Sequence, residues 1–396
     1  MSESGTKKAD KAALVKQGRE MFDKCVSANK HNYDMSLEDI RFARLSEQWP
    51  QEIASQRLQE GRPCLTINKM QAFIRQVVND SRQNKPGIKV RPADSGADRK
   101  TADIINGLIK NIEYTSNADV AYDTAVESAV TGGFGFIRVG LDYAYDDSFD
   151  MDLKIDRVMN VHSVHGDPNS TSADSSDWNV AFVVDRLTKD DFKKKYGDVA
   201  NVDWSDDSWS KDGGVWLNDD GVLIAEWWQR KEVAKRIVLL SDGRVMAKED
   251  IEADPDLSVA LQAGAISIVQ ERETKSHKVT QTIMSGADIL EEENEWPGKF
   301  IPIIPVYGDE FSIEGKRYFR SLINPAKDAQ RMFNYWRTTS TELIALAPRV
   351  PFIGPKGFAD DDANWNTANQ KSHSYLEYTG GIAPQRMPLD TGPAGG

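Results

Sequence analysis

The stretch 118–139, ADVAYDTAVESAVTGGFGFIRV, decides the fold class. From Ala118 to about Thr131 it reads as a helix. Gly132-Gly133-Phe134-Gly135 then caps the helix and turns the chain into a strand, Phe136–Val139. A glycine-rich nucleotide loop runs the other way, from strand into helix, so that the helix N-terminus faces phosphate. This turn is therefore read as structural, a helix C-cap with tight entry into a strand. If Gly133 or Gly135 adopts positive φ, a β-branched replacement is poorly tolerated. The chain is mainly helical over 10–131 and mainly β over 132–310, an α+β pattern.

Upstream, Leu14, Val15, Gly18, Phe22 and Val26 recur at helical spacing. Ser36 before Leu37-Glu38-Asp39 predicts a fresh helix start, followed by Ile40, Ala43 and Leu45 and broken by Trp49-Pro50. Gln51–Glu60 predicts a short helix stopped by Gly61-Arg62-Pro63. Asn68 caps another, with Met70, Phe73, Ile74, Val77 and Val78 on its apolar face and Lys85-Pro86-Gly87 at its end. Ile88 and Val90, alternating with Lys89 and Arg91, predict a strand. Asp98–Tyr114 is a helix with Ile105, Leu108, Ile109 and Ile112 on one side.

Downstream, Leu153 and Ile155 alternate with charge. Val180–Val184, Val222–Trp228, Arg236–Leu240, Ile266–Arg272 and Val279–Met284 predict strands joined by turns. Thr188 caps a helix to Tyr196, ended by Gly197, and a second covers Lys248–Ala263. The stretch Asp198–Asp220 is an acidic, exposed loop. Phe300–Val306 is a strand that Pro302 and Pro305 confine to an edge or a bulge. Asn324 as cap and Pro325 at the first position start a long helix that Pro348 stops. Its apolar stripe is Ala329, Met332, Phe333, Trp336, Leu343 and Ile344, with Lys327, Arg331 and Arg337 off the stripe. Val350–Ile353 and Tyr375–Tyr378 are strand-like.

The 396 residues allow two or three domains. The net charge of −13 argues against tight wrapping of nucleic acid, which needs clustered Lys and Arg. It is compatible with a wall past which DNA slides, since acidic groups repel phosphate. The two cysteines, Cys25 and Cys64, cannot form a disulfide framework. No apolar run reaches the length of a membrane helix, and Met1–Asp10 lacks the apolar core of a secretory signal.

Chemical motifs fail one by one. Gly308 and Gly315-Lys316-Arg317 have six residues between the glycines where a phosphate loop has four, and Arg317 stands where Ser or Thr would hold magnesium. His162, His165 and Asp167 have no supporting His or Cys cluster among only five histidines. Trp227 and Trp228 fit sheet packing, whereas Trp204 and Trp209 sit in the acidic loop. No catalytic, cofactor-binding or metal-ligating residue is assigned, and none of these segments suggests an enzyme.

The chain resembles the portal proteins of tailed phages, of the short-tailed lambdoid type. The resemblance is carried by Arg91-Pro92 with Ala102–Glu113, by Ala118–Ala125, and by Gly132-Gly-Phe-Gly135. It continues through Asp167-Pro168, Asp174–Asp177, Glu226-Trp227-Trp228, Phe300–Val306 and Asp328–Tyr335. It implies a portal-like wing over residues 1–319, a stem helix over 320–348, and a partial clip-like segment over 349–396. It implies a dodecameric ring at the capsid vertex of the virion, assembled in the host cytoplasm, with double-stranded DNA passing through it. Terminase, capsid or scaffolding protein and tail adaptors are the implied partners, and no membrane is involved. Lys327, Arg331, Phe333, Trp336 and Arg337 become the stem-helix interface or channel residues, and Gly132, Gly133 and Gly135 the wing turn. The family also has a returning stem helix, a tunnel loop and a crown, which nothing in these residues supplies; a truncated portal or fragmentary gene product is the expectation. The competing readings are a carbohydrate-active or nuclease-type phage enzyme using the acidic β region, and a monomeric tail adaptor using the tryptophan-rich loop.

Overall fold

A 38-residue helix, Glu3–Ile40 (α1), opens the computed structural model of the chain. The structure describes residues 3–346 except 86, 93–97, 198–216, 219–220, 242 and scattered positions in 255–264, and then 352–357, 363–368, 373–378 and 382–387. The chain divides into two units, residues 1–37 with 78–321, and residues 38–77 with 322–396.

No new helix starts at Ser36. The helix runs through it to Ile40 and on into a π-helical turn, Arg41–Leu45. Ser36 shares an inward face with Asn32 and Asp39, all three buried, so its side chain does not cap a helix start. Gln51–Gln59 (α2) and Met70–Gln83 (α3) follow, and Asn68 Oδ1 accepts the Met70 N–H at 3.0 Å. On α3, Met70, Ile74 and Val78 are buried but Phe73 and Val77 are exposed, so the apolar face is narrower than predicted.

Arg99–Thr115 (α4) starts on the Asp98 cap, whose side chain accepts from Lys100 N. Residues 88–90 do not join a sheet. Instead Val90 is held on α4 by Asn106, whose side chain accepts the Val90 N–H at 2.7 Å and donates to the Val90 carbonyl at 3.1 Å. One amide thus replaces a partner strand, which is why an alternating sequence forms no ladder.

Ala118–Gly132 (α5) ends at Gly133, with φ +93°, and strand Phe134–Tyr143 (β1) begins at once. The strand therefore starts two residues earlier and ends four residues later than predicted. A Cβ on Gly133 would lie 2.6 Å from the Phe319 carbonyl oxygen, and one on Gly135 only 2.1 Å from that of Ala125. Gly135 does not have positive φ; it is needed because α5 lies so close to β1. Strand Met151–Arg157 (β2) pairs with β1 on one side.

Val164–Gly166 (β3) and Val180–Leu187 (β4) enter a second sheet, followed by the helix Lys189–Tyr196 (α6) on its Thr188 cap. The predicted acidic loop lies outside the described residues except Leu217–Asn218 (β5). Gly221–Leu240 (β6) is one strand of 20 residues, not two. Val245–Ala247 (β7) and Lys248–Ala253 (α7) follow; within the predicted 248–263 the helix breaks at Asp254, and Leu257, Val259 and Leu261 are helical again. Ile268–Ser285 (β8) is likewise continuous and pairs with β6 along most of its length. The charged middles read as turns because a strand with no apolar run gives no signal. In a two-stranded ribbon both faces meet water, and cross-strand pairs such as Glu232–Lys275 at 2.7 Å and Arg236–Glu273 at 3.1 Å fit there.

Ile289–Trp296 (β9) completes the second sheet, of order β3-β4-β6-β8-β9 with β5 and β7 on β6. Ile303–Tyr307 (β10) is the other neighbour of β1 and an edge strand, as its prolines require. Asp309–Ile313 (β11) and Lys316–Arg320 (β12) form a hairpin. The core of this unit includes two large clusters. Val15, Phe22 and Cys25 of α1 pack on Phe182, Trp227 and Met284. Phe134, Phe136, Trp178, Trp228 and Ile303 form the other cluster, so the two adjacent tryptophans are both core residues facing opposite ways. Trp204 and Trp209 lie outside the described residues.

In the second unit a 3-10 turn, Asn324–Ala326, leads into Lys327–Leu346 (α8). Asn324 is inside this turn and Ile323 is its N-cap, so Asn324 is not the cap. Short ladder strands, Phe352–Ile353 (β13) and Gln385–Arg386 (β14), flank the helix Ala363–Thr367 (α9). Tyr375–Tyr378 is not a strand.

Candidate functional site

Helix α8 is built inside out. Lys327, Gln330, Asn334 and Thr338 recur at three- and four-residue spacing, one helical face, and all are buried. Met332, Trp336 and Ile344, which are 65%, 48% and 75% exposed, lie away from it.

The polar face is used within its own unit. The stretch 65–69, between α2 and α3, runs antiparallel to α8. Leu65 N donates to Thr338 Oγ1 at 3.2 Å, Ile67 N to Asn334 Oδ1 at 3.1 Å, and Lys69 N to Gln330 Oε1 at 3.3 Å. Gln330 Nε2 returns a bond to the Ile67 carbonyl at 2.7 Å. The match follows from geometry. Four helical residues advance about 6 Å, and two extended residues about 6.6 Å, so successive side-chain rungs meet alternate backbone groups. These buried amides would be costly without partners; here they serve as a substitute strand.

Two charged contacts close the ends. Lys327 Nζ lies 2.5 Å from Asp39 and 2.9 Å from Glu38. Glu342 accepts from Arg57 and, at 2.9 Å, from Arg62. Lys327 thus faces its own unit. Arg331 reaches Asp328 at 3.4 Å and Glu38 at 3.7 Å, with its guanidinium over the Phe42 ring. Phe333, Trp336 and Arg337 come together: the Arg337 guanidinium lies 5.5 Å from the Phe333 ring centre and 5.0 Å from that of Trp336. They form a partly exposed aromatic–cation cluster beside Met332. The turn glycines Gly132, Gly133 and Gly135 belong to the other unit.

Sequence reasoning found the stripe and missed what the polar side does. The signal was present: Gln330, Asn334 and Thr338 are uncharged hydrogen-bonding side chains at i, i+4 and i+8. A face meant for water more often carries Lys and Glu.

The first unit has a cleft of 640 Å³ lined by Asn29, Tyr33, Asp167, Trp178, Arg317 and Phe319 among others. Several of its polar groups are engaged, although the buried Arg317 Nη2 has no hydrogen-bond partner among the described residues. Asp167 accepts from Asn169 N and Asn179 N, and Arg317 binds Glu310 and Ser170 while stacked on Tyr307 and Phe319. His162 and His165 are packed on Tyr33. Burial pushes the His165 imidazole down to about 4 and lowers that of His162, so both are neutral at pH 7. Among the described residues no group of His, Cys, Asp or Glu could hold a metal ion, and no helix is long and apolar enough to cross a membrane.

The family described as phage P22-like portal protein matches residues 19–395, nearly the whole chain. The chain belongs to this portal family. It is also 26% identical over 369 residues to the portal protein of Acyrthosiphon pisum secondary endosymbiont phage 1. That alignment covers 90% of the chain and 51% of the relative, so the chain spans about half the length of that portal protein.

Proposed function

We propose that the chain is a structural subunit of a phage portal ring at the capsid vertex, and not an enzyme. The single observation that carries this reading, beside family membership, is the inverted exposure of α8. Its polar face is satisfied inside the chain, and among the described residues its large apolar side chains Met332 and Ile344 are mostly exposed and Trp336 is half-exposed. A contiguous exposed apolar stripe marks an association surface, and buried aromatics dominate interface energetics.

In this reading residues 320–348 are the stem helix, with residues 38–77 as its cradle. Residues 1–319 otherwise form the wing, and 349–396 begin the clip. Phe333, Trp336 and Arg337 meet the neighbouring subunit, while Lys327 and Arg331 anchor the helix to its own cradle. A dodecameric homo-oligomer would surround double-stranded DNA, and terminase, capsid or scaffolding protein and tail adaptors would dock on the ring. The net charge of −13 suits a channel that DNA slides through without sticking. Assembly in the host cytoplasm and residence at the virion portal vertex follow from the same reading.

Negative-stain microscopy and sedimentation test it. Rings with a central hole support it; a monomer at every concentration contradicts it.

A further inference from the structure

The two flanks of α8 beside its buried amide face differ in charge, and both belong to the second unit. Asp328 and Met332 stand one turn apart on one flank, and Phe333 and Arg337 one turn apart on the other. Asp328 and Arg337 are nine residues apart, about two and a half turns, so they point to opposite sides of the helix. The Arg337 flank is basic and aromatic. The Arg337 guanidinium lies over the Phe333 and Trp336 rings, and Lys69 Nζ lies 5.9 Å from the Phe333 ring centre, so both cations are on this side. Neither has a carboxylate partner among the described residues.

The Asp328 flank is acidic where it meets water. The Asp328 side chain is 97% exposed and that of Glu38 60%, whereas the cations among them are more covered, Arg331 at 31% and Lys327 at 8%. Arg331 reaches Asp328 at 3.4 Å and Glu38 at 3.7 Å, and Lys327 is held by Glu38 and the buried Asp39. Glu38, Asp39 and Asp328 therefore stand against Lys327 and Arg331, an excess of one negative charge. Farther along this flank Glu342 and Glu60 balance Arg57 and Arg62. Met332 lies beside the carboxylates and is exposed.

We propose that the Arg337 flank of one copy of this chain packs on the Asp328 flank of the next copy. Arg337 and Lys69 then face Asp328 and Glu38, and the Phe333 and Trp336 rings cover Met332. The inference rests on the ring reading above and names the surface that the aromatic flank meets. A ring uses heterologous contacts, each joining two different surfaces. Those surfaces must lie on different sides of every copy, as the two flanks of α8 do. Two Arg337 flanks would repel one another through their cations, and two Asp328 flanks through their carboxylates. Of the pairings between these flanks, only the unlike one brings opposite charges together beside apolar side chains. The occupant of each flank is therefore a second copy in head-to-tail orientation.

Charge reversal tests this on the whole chain by sedimentation velocity, with circular dichroism melts to check folding. Arg337→Glu and Asp328→Lys should each weaken self-association about tenfold or more. An equal mixture of the two variant chains should regain it, because every contact between unlike chains again joins opposite charges. Both changes together in one chain should regain it too. Asp328→Lys also separates a contact from bulk charge: it adds two positive charges to a chain of net charge −13, which by lowered self-repulsion alone would favour association. Should a reversal fail to fold, Arg337→Gln and Asp328→Asn replace the pair, and each should still weaken association. Association unchanged in both variants, or no recovery in both the mixture and the combined chain, overturns the pairing. If Trp336→Ala weakens association while the charge variants do not, only this inference fails. If the parent chain never associates, the ring reading fails and takes this pairing with it.

Discussion

Asn334 Nδ2 donates to Gln48 Oε1 at 2.7 Å, and both side chains are almost completely buried. Asn334 also accepts from Ile67 N, so one amide joins α8 both to the turn before α2 and to the extended stretch before α3. This pair explains why α8 turns its apolar side outward: its inward side is already committed to hydrogen bonds.

Asn334→Leu should therefore destabilise the second unit despite adding an apolar side chain to a helix. It removes the partner of the part-buried Ile67 N–H and of the buried Gln48 Oε1, at about 1–3 kcal/mol each. Met332→Gln, on the exposed stripe, should change stability by less than about 0.5 kcal/mol. Urea melts of the two variants decide it; equal effects would mean that α8 faces the other way.

Lys327→Met should cost roughly 3–5 kcal/mol, because it removes the cation paired with the buried Asp39 carboxylate. A companion Asp39→Leu change should recover much of the loss. The double-mutant cycle in denaturant is the measurement, and additive losses would show that the two groups do not act as a pair.

The Gly133 turn has a steric prediction. Gly133→Val forces a β-branched residue into φ +93° with Cβ 2.6 Å from the Phe319 carbonyl, at a cost of at least about 1–3 kcal/mol. Gly135→Val meets the α5 backbone even more closely, so its melting temperature should fall further. A wild-type melting temperature for either one contradicts the packing described.

Stability should fall with acid through His165. Its folded-state value of about 4 lies below the ordinary 6.5, so between these values the unfolded chain binds a proton that the folded chain excludes. The contribution is complete above pH 6.5 and lost as pH falls toward 4, at up to ~1.4 kcal/mol per pH unit. His165→Gln should flatten the difference between melts at pH 7 and pH 5. An unchanged difference would place the imidazole in contact with water.

Much of this architecture was legible where the code is local. The helix–glycine–strand turn at 118–139, the Thr188 cap, and the proline-bearing edge strand at 303–307 all follow from residues adjacent in sequence. What was not legible depends on partners far along the chain. Strands β6 and β8 read as fragments because their charged middles are balanced across the ribbon, not along it. Three side-chain amides take the place of a neighbouring strand: Asn32 on the backbone of Arg317 and Phe319, Asn106 on Val90, and Gln330 on Ile67 and Lys69. Asn32 and Asn106 stand alone in their helices and carry no pattern that announces this, whereas Gln330 recurs with Asn334 and Thr338 along one face. The stripe on α8 was read correctly as apolar, but only the buried amides opposite it show which way it points.

The central claim is that the Met332–Trp336 face is an interface between subunits and not part of the chain's own core. Sedimentation velocity on the parent chain and on a Met332→Gln, Trp336→Ala double variant tests it most directly, with urea melts of both alongside. The account predicts that the variant melts like the parent but loses self-association about tenfold or more. Unchanged self-association would contradict it, as would a loss of several kcal/mol in stability, the mark of a side chain buried in its own fold.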